Sequence, residues 1–410
     1  MTDRKHLPKW RAQLIALLGG TAVSRSAFLE AITANATSSS GQVITDQTML
    51  SLSATWACTR LISETIATLP LHLYERTKSG GRAPAQWHPL YNVIHSRPNA
   101  DTTAAVHWES TVAAMLMRGN GRAEKMRIGE NVVALRFLSP ERLSAMPKTN
   151  GTFVYVYAES DGTRREIQPR DVFNIPGFSL DGNAGVSVIQ YGANVFGSAL
   201  SADQAAAKTF KNGLMPTVAF KFPQLLQPEQ RNDARDAIQL ISGAVNSGKS
   251  AVFEAGMDAM KIGIDPKDAQ LLESRSFSVE EICRWFRVPP HMVGHSEKST
   301  SWGTGIEQQM IGFLMFTLRP WLTRIEQAIN KDLLSPSDQA KFYAEFSVDG
   351  LLRGDSAARR EMYASAGQNG WMTRNEIRAK ENLPPIPGGD VLTVQSNMMD
   401  INDIGKQVTP

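Results

Sequence analysis

Two dipeptides, Asn150-Gly151 and Asp161-Gly162, constrain this chain more than anything else in it. Asn-Gly and Asp-Gly reach positive φ cheaply, so between β-rich runs they close tight hairpins and force the flanking strands antiparallel. The runs around them are VVALRFL (132–138), TFVYVYA (152–158), REI (165–167) and DVFNI (171–175). Upstream the apolar period changes from two to near 3.6. Leu50, Ala54, Ala57, Cys58, Leu61, Ile62, Thr65 and Leu69 predict a helix from Gln47 that Pro70 stops. LHLY (71–74) alternates as a strand, and a second helix is expected over 103–117, ending at a Gly119-Asn120-Gly121 turn. Residues 46–182 therefore read as an α+β region built on an antiparallel platform.

The second half is more helical. Residues 184–212 predict a long helix of small side chains, in which an interior Gly costs about 1 kcal/mol relative to Ala. Gly192 and Gly197 then imply another backbone packed close, and Ala193, Gly197 and Ala202 are candidates either for core packing or for contact with a neighbouring subunit. An insert follows: a strand at 217–222, an amphipathic helix at 228–242, and a hairpin of 250–255 with 259–264 turning at Gly256. A helix over 268–287, with Leu271, Leu272, Ile282, Trp285 and Phe286 on its apolar side, ends at Pro289-Pro290. Residues 295–305 have no period and read as an exposed loop. The next helix, 306–334, is apolar on several sides (Met310, Phe313, Leu314, Leu318, Trp321, Ile325) and carries Pro320, which predicts a kink. KFYAEF (341–346) reads as a strand and 355–366 as a helix. Thr373 and Glu376 have capping-box spacing before a further helix, and Pro384, Pro385 and Pro387 are expected to end the order.

Composition excludes several classes. The 43 basic and 40 acidic residues leave a net charge of +3, too little for a protein that grips nucleic acid through clustered Lys and Arg. Cys58 and Cys283 lie far apart in sequence, which argues against a disulfide framework and for assembly in a reducing compartment. The longest uncharged run, Gly182 to Ala202, contains Gly, Asn, Gln and Ser and does not suit a lipid bilayer. Arg4, Lys5, Lys9 and Arg11 ahead of Ala12 to Ser24 sketch a secretory leader, but Asp3 and the pair Gly19-Gly20 favour an N-terminal arm.

The catalytic motifs fail on context. GAVNSGKS, Gly243 to Ser250, satisfies the phosphate-loop pattern, with Lys249 and Ser250 in place for phosphate and magnesium. Such a loop must leave a strand and open a helix, whereas here a helix precedes and a strand follows. A flexible turn is the better reading, and a nucleotide-binding enzyme the alternative. His291 and His295 stand four apart, but the surrounding Pro and Gly oppose a helix and no third metal ligand is near. No catalytic, cofactor or metal residue is assigned, and the chain reads as a structural protein rather than an enzyme.

The segments KTFKNGLMPTVAFKFP (208–223), DAQLLESRSFSVEEICRWFRVPPHMVG (268–294), IEQQMIGFLMFTLRPWLTRIEQAINKDLL (306–334) and MTRNEIRAKENLPPIPGGD (372–390) resemble the portal proteins of tailed bacteriophages, in the branch of long non-contractile-tailed phages and gene-transfer particles. The resemblance runs from about Leu50 to Val394. It implies a multidomain α+β portal fold assembled as a ring, of twelve copies in the virion, at one capsid vertex. Double-stranded DNA would pass through that ring non-specifically during packaging and ejection. The implied parts are a flexible arm (1–45), a wing platform (46–182), a stem helix (183–213), a clip (214–265), a second stem helix (266–288), a tunnel-loop region (289–305), a kinked helix and strand completing the wing (306–350), a crown (351–392) and a tail (393–410).

The resemblance also implies the partners and the sites. The partners are the terminase large subunit, then a head–tail adaptor, and a major capsid or scaffolding protein, with no membrane and with assembly in the host cytoplasm. Ser296, Glu297, Lys298, Ser299, Thr300, Ser301 and Trp302 would form the tunnel loop, with Lys298 and Trp302 facing the channel. Glu229, Arg231, Asp233, Arg235 and Asp236 would form the clip docking surface. The near-balanced charge suits such a conduit, because strong phosphate contacts repeated round a ring would stall the DNA.

Overall fold

A computed structural model of the chain describes residues 36–77, 81–148, 153–180, 182, 184–211, 218–221, 227–233, 258–261, 268–295, 304–348, 356–381 and 383–393. They divide into two compact units after Phe346, close to the expected start of the crown.

The first unit begins with a short hairpin, β1 (Ala36–Thr37) and β2 (Val43–Ile44). The single helix expected from Gln47 is two, α1 (Asp46–Leu50) and α2 (Ser53–Thr68). The break has a local cause: the Ser51 hydroxyl donates to the Thr48 carbonyl at 2.7 Å, and Leu52 turns to extended φ/ψ to bury its side chain. Past Pro70, β3 (Leu71–Arg76) buries Leu71 and Leu73 in alternation. It lies between β4 (Arg82–Pro84) and a strand far along the chain, described below. Helix α3 (Pro89–His95) follows. Helix α4 (Ala104–Arg118) is capped by Thr103 and closed by Gly119 in the left-handed region.

Only Gly119 turns there. Asn120 and Gly121 open β5 (Asn120–Ile128), a strand the sequence reading missed. Its charges hide it, since Arg122 and Lys125 are buried beside Ala123 and break the apolar alternation. It is the centre of a sheet with β6 (Asn131–Phe137) on one side. The next sheet has the order β7 (Leu143–Pro147), β8 (Phe153–Ala158), β9 (Arg164–Ile167). The Asp161-Gly162 turn joins β8 to β9, with Gly162 at φ +84°. β10 (Val172–Pro176) returns to the free edge of β5. The described ladders are all antiparallel, as the Asp161-Gly162 signal requires for β8 and β9; Asn150-Gly151 lies outside the described residues, and the platform is several small sheets instead of one. Leu138, Leu143, Tyr155, Tyr157, Ile167 and Val172 form one core cluster.

Gly192 divides the next expected helix into α5 (Val188–Tyr191) and α6 (Ala193–Lys211). β11 (Val218–Lys221) pairs with β12 (Asp258–Lys261). The expected partner at 250–255 lies outside the described residues, as does the helix expected at 228–242 beyond its first turns, 228–233. Helix α7 (Asp268–Phe286) packs on both α6 and α2. The kinked helix is α8 (Thr304–Phe313), a π-helical turn (Leu314–Leu318) and α9 (Arg319–Asp332) in unbroken succession. Pro320 has no N–H for the usual ladder, and the helix absorbs it by widening: the Arg319 N–H reaches back five residues to the Leu314 carbonyl. β13 (Phe342–Phe346) then pairs with β3 and closes the unit.

In the second unit, α10 (Ser356–Gln368) and α11 (Arg374–Lys380) flank the Gly370 turn. The capping box is present: the Thr373 hydroxyl accepts from Glu376 N at 3.2 Å, and the Glu376 carboxylate accepts from Thr373 N at 2.7 Å. The prolines do not end the order. Buried Asn375 donates to the Ile386 carbonyl at 3.1 Å and accepts from Ile386 N at 2.8 Å, folding this stretch back on α11. At Gly389 a Cβ would lie 2.3 Å from Asn375 Oδ1, so only glycine fits.

Candidate functional site

The end of α7 and the π turn build one apolar groove. Phe196 of α6 holds Trp285 and Phe286, with ring centroids 6.4 and 6.5 Å away. Arg287 then adopts φ +55°, a left-handed conformation disfavoured for a side chain of its size. Thr317 braces it by donating to the Arg287 carbonyl at 2.6 Å. Thr317 sits within the π turn, so the widened helix supplies the brace for the strained residue. Between these elements lies a cavity of about 320 Å³ lined by Leu116, Phe178, Val188, Tyr191, Trp285 and Trp321. Arg287 and Arg324 stand at it as well, and Arg324 donates to the Gly177 carbonyl at 2.6 Å.

The surroundings of the groove are unusual for a surface. Phe316 is 71% exposed, Leu180 69% and Tyr191 62%, and Met310, Met315 and Phe178 are exposed beside them in sequence or in the groove wall. Large apolar side chains left this exposed mark an interaction site on a folded protein. The groove offers shape and apolar area, with Arg287 and Arg324 at its edge. Among the described residues no group of three metal-ligating side chains exists. His295 lies 3.3 Å from the Ser276 hydroxyl and 3.8 Å from Glu280, while His291 belongs to the separate 3-10 turn Pro290–Val293.

The residues nominated from sequence are distributed as follows. Ser296, Glu297, Lys298, Ser299, Thr300, Ser301 and Trp302 lie outside the described residues, between the anchored His295 and the start of α8. Glu229, Arg231 and Asp233 are exposed on 228–233, and Arg235 and Asp236 lie outside the described residues, as does Gly243 to Ser250. Gly197 does have a close neighbour, but it is in the same chain: a Cβ there would come within 2.3 Å of Ser38 in the β1–β2 hairpin. At Gly192 the neighbour is the Phe196 ring and the Val188 carbonyl. Ala193 is buried, whereas Ala202 is half-buried and Gln204, Ala205 and Ala207 beyond it are exposed. Sequence reasoning missed Phe316, Leu180 and Tyr191. One signal was present, since the helix containing Phe316 is apolar on more sides than one chain could cover.

The groove is framed by a protected interior. Arg118 at the end of α4 donates from Nη2 to Asp46 at 2.8 Å and from Nε at 3.0 Å, with both side chains buried. Gly119 and Gly185 touch backbone to backbone, so that a Cβ on Gly119 would meet the Gly185 carbonyl at 2.5 Å. His107 of α4 is buried with neither ring nitrogen hydrogen-bonded among the described residues, and burial pushes its pKa down to about 4. No helix among the described residues is long and apolar enough to cross a membrane.

A family model described as phage portal protein matches residues 53–382. The portal protein of Enterobacteria phage HK97 is 34% identical over 371 residues, covering 90% of this chain and 87% of that protein. The probable portal protein of Streptomyces phage phiC31 is 35% identical over 364 residues, covering 86% and 79%. Among solved structures, a chain in the neck of an empty gene-transfer-agent particle, computed with C6 symmetry, superimposes with a TM-score of 0.58 at 21% identity, over 92% of this chain and 100% of that one.

Proposed function

The chain belongs to the phage portal protein family, whose members form the ring at a virion vertex through which DNA is packaged and ejected, and from that premise we propose how its own surface builds the ring. The groove between α7 and the π turn receives a different face of the next copy. A closed ring requires such a heterologous contact, repeated until the rotation returns to its start. The observation that carries this reading is exposed apolar area: Phe178, Leu180, Tyr191 and Trp285 line the groove, and Met315 and Phe316 stand exposed in the π turn whose Thr317 lines it too. The half-buried Ala202 and the exposed Ala205 and Ala207 after it add small side chains for the neighbour to approach.

In the virion the ring has twelve copies and acts through shape, without catalysis. Residues 296–302 approach the DNA: they join two fixed supports, the His295 turn and α8, and their hydroxyls exchange hydrogen bonds with water at little cost. The charged surface around Glu229, Arg231, Asp233, Arg235 and Asp236 docks the terminase large subunit during filling and the head–tail adaptor afterwards, with capsid or scaffolding protein surrounding the ring. Assembly takes place in the host cytoplasm. No observation favours nucleotide binding by Gly243 to Ser250.

The test is the assembly state of the full chain. Phe316→Glu combined with Leu180→Glu places a charge in the groove wall and another on the exposed π turn, and is expected to leave monomers in native mass measurement. Ile128→Glu, at an equally exposed apolar position on the β5–β6 hairpin, is expected to leave rings intact. Full rings from the double variant would overturn the assignment.

A further inference from the structure

Cys58 and Cys283 are the chain's only two cysteines and take no part in the groove. They stand 225 positions apart, Cys58 in the middle of α2 and Cys283 in the last turn of α7, and these two helices pack together. Both are buried free thiols with their sulfur atoms 3.9 Å apart. Packed helices lie about 8–10 Å apart with Cα atoms about 2.3 Å off each axis, leaving roughly 3.5–5.5 Å between facing Cα atoms. That overlaps the range of about 4.4–6.8 Å that a disulfide bridges.

We propose that Cys58 and Cys283 are an oxidation site, at which hydrogen peroxide converts the thiol pair into an intrachain disulfide that staples α2 to α7. Hydrogen peroxide is chosen as the oxidant because it is small and both thiols are buried. The thiol contact prepares the first step: the hydrogen bond from Cys58 favours the Cys283 thiolate and lowers its pKa, while the same bond and burial raise that of Cys58. The Cys283 sulfur attacks one peroxide oxygen, so that an S–O bond forms, the O–O bond breaks and hydroxide departs, leaving a sulfenic acid. The Cys58 sulfur then attacks the Cys283 sulfur; the S–S bond forms, the S–O bond breaks, and the hydroxide leaves as water with the Cys58 proton. In sum, two thiols are oxidised and one peroxide is reduced to two waters. On the virion reading above, the reduced pair lets α7 seat during assembly, and oxidation after release fixes it against α2.

The chemistry is tested on the full chain, exposed to hydrogen peroxide, denatured in the presence of an alkylating reagent, and mapped by mass spectrometry. Alkylatable thiols are expected to fall from two to none per chain, with a loss of two hydrogens in mass, a linked pair of peptides, and full reversal by dithiothreitol. Cys58→Ser should instead hold Cys283 as a sulfenic acid, captured by a 1,3-dicarbonyl probe. Two surviving thiols, sulfinic acid in the wild-type chain, or a cross-link between chains would each overturn the proposal. Should the variant fail to fold, the wild-type map decides alone. None of these readings depends on ring formation, which native mass reports separately, so failure of the staple and failure of the ring reading are distinct results.

Discussion

The sheets around β5 and the helices around the π turn belong to the same unit, yet they treat their surfaces in opposite ways. Near β5, charge is matched within the chain. Arg165 donates to both oxygens of Glu124 at 2.5 and 2.7 Å and reaches Glu159 at 3.2 Å, and Arg136 grips the same Glu159. These pairs hold the β5–β6 pair to the β8–β9 hairpin, and the guanidiniums raise their own pKa and lower that of Glu159 through the hydrogen bonds they share. Near the π turn, apolar side chains as large as Phe316 and Leu180 face outwards. The first region is complete as a single chain, while the second is the one proposed above to be completed by a neighbour. The lesson is that stability and assembly are carried by different residues, so they should respond separately to mutation.

The largest effect that could break this separation is at Asp46. Asp46→Asn removes the carboxylate charge that faces buried Arg118 and should cost about 3–5 kcal/mol in urea unfolding. Chains that remain folded should still form rings. The Phe316→Glu, Leu180→Glu variant should do the reverse, losing rings with little change in urea midpoint. A matched loss of both properties in either variant would mean that the two regions are one.

A smaller effect follows from His107. Its folded pKa of about 4 lies below the unfolded value of about 6.5. Between those values the unfolded chain holds a proton that the folded chain refuses, so stability is full above pH 6.5 and is lost as pH falls towards 4. The slope is about 1.4 kcal/mol per pH unit, up to about 3 kcal/mol in all. Urea titrations between pH 4.5 and 7.5 should show this slope, and His107→Leu should flatten it. The smallest expected effect is at Glu124. Because Arg165 is partly exposed, Glu124→Gln should cost about 1 kcal/mol or less and become neutral at high salt.

Much of the fold was legible in local sequence. The Asp161-Gly162 hairpin, the Pro70 stop, the Gly370 turn and the Thr373–Glu376 capping box stand where the residues placed them, because each depends on neighbours within a few positions. Strand β5 was hidden because its buried Arg122 and Lys125 are tolerated only by what packs over them. Pro320 announced a disturbance, but that it would be a widened turn bracing Arg287 depended on Thr317 meeting a helix end 30 positions earlier. Pro384, Pro385 and Pro387 suggested an end to order, yet Asn375 supplied hydrogen bonds that no local signal encodes.

What the sequence by itself determined is the kind of elements, the antiparallel sense of the sheets and the family, since these rest on periodicity, turn chemistry and long matching segments. Only the tertiary structure decided which surfaces close on the chain itself and which stay open. It seated Gly197 against Ser38, gathered Phe178, Tyr191, Trp285 and Trp321 into one groove, and brought Cys58 to Cys283 across 225 positions. The physical reason is range: φ/ψ preference and capping act over about four residues, whereas burial is fixed by whichever distant segments come to lie side by side.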